Sequence, residues 1–243
     1  MFRFRSKPRQ PAASLTAGFA LGVLVTTLAF YIFGPGSARP AFVTHLQWRV
    51  TPPHVGIQAG HARTYDAPDE LAVLRNSIGA FQDDWGESIV NLDVARRVVA
   101  LLQRDGLVVD LLPTTIPSHY RADVFVALHA DAAQDKGLTG FKVTRSDWST
   151  STLADDRLVA YLVAEYAART GLPEHRYSIS DNMMQYYVFN YRKFEHSLDP
   201  STPAAIIEMG FLTNSGDRRL LREQPDTVAA AVASGVTRFL ETR

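Results

Sequence analysis

The sequence of 243 residues has no cysteine, no net charge and no internal repeat. Without cysteine there is no disulfide scaffold. Its 15 glycines and 13 prolines are ordinary numbers, which excludes collagen-like and low-complexity chains. What is present, 46% apolar and 10% aromatic residues, describes a packed globular protein. The length accommodates one domain of about 200 residues and an accessory segment.

The zero net charge conceals an asymmetry. Arg3, Arg5, Lys7 and Arg9 lie in the first ten residues, so residues 11–243 carry 21 basic against 25 acidic residues, a formal −4. A mildly acidic body lacks the basic surface that DNA or RNA binding requires, and nucleic acid is excluded as an expected partner.

Charge is also missing from Gln10 to Ala38, and within that span Leu15 to Phe33 is an almost wholly apolar run of nineteen residues. At helical rise it covers roughly 28 Å, close to the hydrocarbon thickness of a bilayer. We therefore expect a basic cytoplasmic tip over 1–11 and a single transmembrane signal-anchor helix over 12–33. The positive-inside bias puts the body outside the membrane, on the periplasmic or cell-wall side. The alternative is a cleaved signal peptide, with Gly36-Ser37-Ala38 as the cleavage site and a secreted product. Residues 34–53 contain four prolines and read as a semi-extended linker. The body is then 54–243.

In the body, short apolar runs alternate with amphipathic stretches. Residues 55–59, 107–112, 123–130, 140–144 and 204–209 read as strands, the last buried on both faces. Helices are expected over Glu87–Arg104, Leu153–Arg169 and about Asp226–Leu240, the first stopped by Gly106. This alternation predicts an α/β fold, an open, twisted, mostly parallel sheet with helices on both faces.

Three expected strands lead into side chains able to bind metal or move protons: His61, His129 and Glu208. Ligands collect beyond the carboxyl ends of strands in such sheets, so parallel neighbours would bring the three into one crevice. Glu87, opening the first long helix, can reach the same place. A carboxylate directly after four apolar residues, as at Glu208, is costly unless paired or metal-bound. Together the four make an open His/His/carboxylate metal site with one carboxylate to spare as a base.

At these residues the sequence resembles the zinc-dependent N-acetylmuramoyl-L-alanine amidases of the amidase-3 type. The resemblance lies in four ordered blocks: I-Q-A-G-H-A (57–62), E-S-I-V-N-L-D-V-A (87–95), A-L-H-A-D-A (127–132) and E-M-G-F-L-T-N (208–214), the last followed by Asp217 and Leu220. The resemblance implies that His61, Glu87 and His129 bind Zn²⁺ and that Glu208 is the catalytic carboxylate. It also implies peptidoglycan as substrate, cut at the amide between N-acetylmuramic acid and L-alanine. The full expectation is a membrane-anchored extracytoplasmic hydrolase, with no appended wall-binding module. The alternatives are a metal-dependent peptidase or deacylase on another wall amide, and a degenerate, non-catalytic wall-binding member.

The chain departs from the family pattern in several places. Gln58 and Ala59 stand where Asp and Pro precede the first histidine, and Ala62 and Arg63 replace the glycines after it. Arg63 is expected beside the metal, holding a substrate carboxylate or capping the cleft. Between the strands at 107–112 and 123–130 only Arg121 remains of the usual basic pieces. The stretch from Arg63 to Gly86 is longer than the family's loop and reads as a surface helix with a loop, or as a flap over the zinc. The aromatic run from Met183 to Tyr191, which includes Asn190, packs the core or walls a glycan groove. Asn190 and His196 are the remaining candidate substrate contacts, His196 also a candidate substitute ligand.

Overall fold

The structure, a computed structural model, describes Trp48 and residues 50–242. The expected membrane helix, basic tip and most of the linker lie outside the described residues. Among the described residues no helix is long and apolar enough to cross a membrane. The compact unit spans His45–Arg243, and Trp48, expected within the linker, is buried in its core.

Continuous apolar runs of β-branched and aliphatic residues build the strands β1 (His54–Ala59), β4 (Val108–Leu112), β5 (Val124–Asp131) and β7 (Ala204–Phe211). They pair in parallel in the order β4–β1–β5–β7, and β6 (Lys142–Thr144) closes the β7 edge antiparallel. A separate small hairpin joins β2 (Phe81–Gln82) to β3 (Trp85–Gly86). The helices are α1 (Glu87–Arg104), α2 (Thr152–Thr170), the single turn α3 (Asp181–Met184), α4 (Ser215–Glu223) and α5 (Pro225–Glu241). α2 ends at Gly171, whose φ of 71° supplies the left-handed cap that halts a helix.

Side chains alternate across each strand, so the two faces can be read from their cores. One carries Ile57, Val126, Leu128 and Ile207, packed against Val94 and Val98 of α1, Leu158 and Leu162 of α2, and Val232 and Val236 of α5. The other carries Phe125, Ala127 and Ile206 under Leu112, Ile116, Tyr120, Met183, Val188 and Leu198. Every described α-helix longer than one turn packs on the first face, which corrects the expectation of helices on both. The segments covering the second face hold Pro113, Pro117, Pro200 and Pro203. Proline removes a backbone donor and clashes with a preceding helical turn, so this chain stays irregular.

The segment after β1 forms two 3₁₀ stretches, Thr64–Asp66 and Asp69–Asn76, before the hairpin. The expected surface helix with a loop is thus 3₁₀ over Asp69–Asn76 and largely exposed, and the loop after it lies against His61 and Glu87 through Ser77 and Ala80. Glu70 ties it to the segment that precedes β7, its carboxylate accepting from the backbone N–H of Glu195 and of His196 at 2.8 Å each.

Candidate metal and catalytic site

The site forms where β1, β5 and β7 end and α1 begins. The register pairs His129 of β5 with Glu208 of β7, and Lys142 of β6 with the same Glu208. Opposed residues share a face, so His129, Glu208 and Lys142 stand in one row across three strands. The chain leaves β1 through Gly60, where a Cβ would fall 2.3 Å from the His129 ring. Only glycine allows the imidazole to lie there. His61 follows with φ of 61° and Arg63 with φ of 57°, so this turn carries two left-handed non-glycine residues. Such strain persists only where surrounding contacts hold it.

His61, Glu87 and His129 come together, with one donor atom from each lying within 4.8 Å of the others. Nδ1 of His61 donates to the carbonyl of Ser77 at 2.8 Å, which leaves Nε2 as the free lone pair, 3.6 Å from Oε2 of Glu87. Oε1 of Glu87 faces Nδ1 of His129 at 2.9 Å and accepts from Asn91 Nδ2 and from Ala130 N–H, both at 3.2 Å. Its other oxygen accepts from Ala80 N–H at 2.8 Å. Burial opposes a charge at Glu87, but the His129 hydrogen bond, the nearby imidazoles and Ala80 N–H outweigh it and hold this carboxyl well below its usual range. Asn91 also donates to Gly60 O at 3.0 Å, so one amide orients both the Glu87 carboxylate and the turn. Gly79, with φ of 78°, brings the segment close; a Cβ there would lie 2.5 Å from Glu87 Oε2.

Nε2 of His129 and Oε2 of Glu208 are buried without a partner, as is Oδ1 of Asn91. An orphaned pair beside two imidazoles and a carboxylate is what a missing cation and its water would satisfy. The donor set of two nitrogens and one oxygen suits zinc and leaves a position open. Burial, with the charges of Glu87 and Asp131, pushes the Glu208 carboxyl up to about 7, against the opposing pull of His129 and Lys142. Tyr186 closes the far side, its ring edge-on to His129 at 5.0 Å.

The other expected contacts are scattered. Arg63 lines a groove beside His61 but is engaged by Asp66 at 2.5 Å. Nδ1 of His196 is held at 2.7 Å by Glu70, which takes it out of the ligand cluster. Asn190 closes a turn through its carbonyl, which accepts from the N–H of Lys193 and Phe194, and does not line that groove. Gln58 donates to Thr114 O at 2.7 Å and Tyr187 OH at 3.0 Å, binding β1 to the aromatic segment.

Sequence reasoning missed Lys142. It is buried, ion-paired with Asp131, and lies 5.4 Å from the centre of the Phe211 ring. The available signal was a lysine between Phe141 and Val143 in a strand too apolar to leave it solvated. The block from Glu208 to Asn214 divides its labour. Asn214 caps α4, accepting from Gly216 and Asp217 N–H, and Thr213 accepts from Ala133 N–H. Asp217 ties β7 to the approach to β6 through Phe211 and Gly140 N–H, both at 3.0 Å.

A sheet with a His/Glu/His cluster at the carboxyl ends of its strands, and a buried carboxylate alongside, has the make-up of a metallohydrolase. The family model described as N-acetylmuramoyl-L-alanine amidase matches residues 55–238, and the chain belongs to that family, which is zinc-dependent. Membership supports a hydrolase of the peptidoglycan amidase type. The fold is shared with solved amidases. The catalytic domain of CwlV from Bacillus (Paenibacillus) polymyxa var. colistinus is 22% identical, with TM-score 0.54 over 79% of this chain and 99% of that one. Ami1 of Mycobacterium smegmatis is 18% identical, with TM-score 0.56 over 79% and 98%. AmiC2 of Nostoc punctiforme is 20% identical, with TM-score 0.54 over 77% and 97%. A search of curated proteins finds no significant match.

Proposed function

We propose that this protein is a zinc-dependent N-acetylmuramoyl-L-alanine amidase, held at the outer side of a membrane by its N-terminal segment. The observation that carries this reading is the unpartnered buried oxygen of Glu208 next to the His61, Glu87 and His129 cluster. Those three residues hold the ion, which when bound supplies Lewis acidity toward water and the scissile amide. Glu208 takes the proton of the attacking water and delivers it to the departing L-alanine nitrogen. A carboxyl raised to about 7 suits both transfers, because it gives up and regains a proton near neutral pH. Asn91, Ser77 and Ala80 orient the ligands, while Tyr186 and the aromatic segment shield the site from bulk water.

The apolar run at 15–33 supports the membrane tether, which keeps the catalytic unit near its polymer by raising effective concentration. The deciding experiment joins metal analysis of the purified chain to a digest of isolated sacculi read by mass spectrometry. Zinc near one equivalent, with release of intact peptides bearing a free L-alanine amine, is the expected result. Products cut within the peptide would instead establish a peptidase.

A further inference from the structure

A groove of about 650 Å³ opens alongside the ligand cluster, lined by His61 and Arg63 and by one face of α1 through Ser88, Leu92 and Arg96. Its volume is that of a small-ligand site. Tyr65, Ile78 and Ile89 line it as well, and all three are more than half exposed. Large apolar side chains kept in water along a groove mark a surface built to be covered.

Charge narrows what covers it. Arg63 is neutralised by Asp66, and Asp93 by Arg97. Arg96 and Arg222, both exposed, line the groove with no ion-pair or hydrogen-bond partner among the described residues. Two unpaired guanidinium groups therefore set the sign of its lining. Arg96 is nine residues beyond Glu87 on the same helix, about 13 Å from the ligand cluster at helical rise. An extended peptide advances about 3.4 Å per residue, so that span equals three to four residues.

We propose that this groove binds the peptide arm of the substrate, and that Arg96 and Arg222 select arms whose third residue carries a side-chain carboxylate. The inference rests on the amidase reading, since it takes the scissile amide to sit at the ligand cluster. Peptidoglycan arms differ at that residue, which is lysine or diaminopimelate, the latter with one carboxylate more. Both side chains end in an ammonium, and only diaminopimelate adds a carboxylate that these guanidinium groups attract, so the lysine arm meets repulsion alone.

The test uses the zinc-loaded full chain in detergent and two N-acetylmuramoyl tripeptides with amidated C-termini, one with lysine and one with meso-diaminopimelate as third residue, so that only the second carries a carboxylate there. The expected ratio of kcat/KM favours diaminopimelate about tenfold. Arg96→Gln and Arg222→Gln each shrink that ratio, and the double variant brings it near one. Because both substrates meet the same preparation, any loss of folded protein cancels. A ratio near one for the unaltered chain, or a preference that survives in the double variant, overturns the proposal. Calorimetric titration with the two free tripeptides separates its failure from that of the amidase reading. If neither muramoyl substrate is cleaved, the amidase reading falls, and tighter binding of the diaminopimelate peptide that vanishes in the double variant still upholds the groove.

Discussion

Glu87 and His129, 42 residues apart in sequence, meet through a 2.9 Å contact between Oε1 and Nδ1. A carboxylate and an imidazole so joined keep the site assembled when no ion is present, and the apolar core beneath them does not depend on metal. Chelation should therefore abolish hydrolysis while leaving far-ultraviolet circular dichroism unchanged. Zinc at a thousandfold excess over its Kd should add about 4 kcal/mol of stability, read as a rise in Tm. Unfolding on chelation would show instead that the ion organises the fold.

Replacing Glu208 by Gln keeps the shape and removes the proton acceptor. kcat should fall by roughly 10²–10⁴ with bound zinc retained. Metal analysis and sacculus digestion on the same preparation check both halves. Full activity in this variant would end the assignment of Glu208 as the base.

The pH behaviour follows from the raised carboxyl. As the proposed base, Glu208 must be ionised to accept a proton, and a bound cation favours the ionised form. Activity of the zinc-loaded protein should therefore rise with pH through a midpoint below the value of about 7 in the metal-free site. Its effect on stability has the opposite sign. With a folded value of about 7 against an ordinary 4.5, the native state keeps a proton that the unfolded chain releases between those values. Stability of the metal-free protein then falls as pH rises across that window. Glu208→Gln should stabilise metal-free protein at pH 8, by up to about 3 kcal/mol, and do little at pH 4. Denaturant melts at the two pH values measure the difference.

Asn91 steadies Glu87 and the Gly60 turn without being one of the clustered ligand residues. Asn91→Ala should weaken zinc affinity about 10–100-fold, as loss of ligand-orienting hydrogen bonds does elsewhere. A competition titration against a zinc-binding dye reads the shift. Gly79→Ala should act in the same direction, because its Cβ would meet Glu87 Oε2 at 2.5 Å and its φ is 78°.

Lys142 and Asp131 form an ion pair with the lysine buried and the aspartate partly exposed. Lys142→Met should cost about 2 kcal/mol, below the value for a fully buried pair because water reaches Asp131. Asp131→Asn added to it should recover most of that loss. Denaturant melts of the two single variants and the double variant give the coupling.

Much of the architecture was legible from pattern alone. Eighteen residues with a helical apolar face became α1 at the expected bounds, Glu87–Arg104. The apolar run after Pro203 became a central strand, since only burial on both faces accommodates it. What escaped the pattern was irregular or set by distant partners. The helix Ser215–Glu223 is short and strongly polar, and it owes its start to the Asn214 cap. The segment 63–86 has no dominant period, and its job of bracing His61 and Glu87 depends on backbone groups of Ser77 and Ala80. A backbone carbonyl leaves no trace in residue identity.

By itself the sequence determined which runs become the main strands and helices and which residue types near the strand ends could bind a metal, because periodicity and residue type are local properties. Tertiary structure alone decided that the helices gather on one face, that Lys142 enters the row with His129 and Glu208, and that Arg96 and Arg222 stand unpaired along one groove. Those facts depend on strand order, register and the paths of proline-rich connections, all of which arise from contacts between residues far apart in the chain.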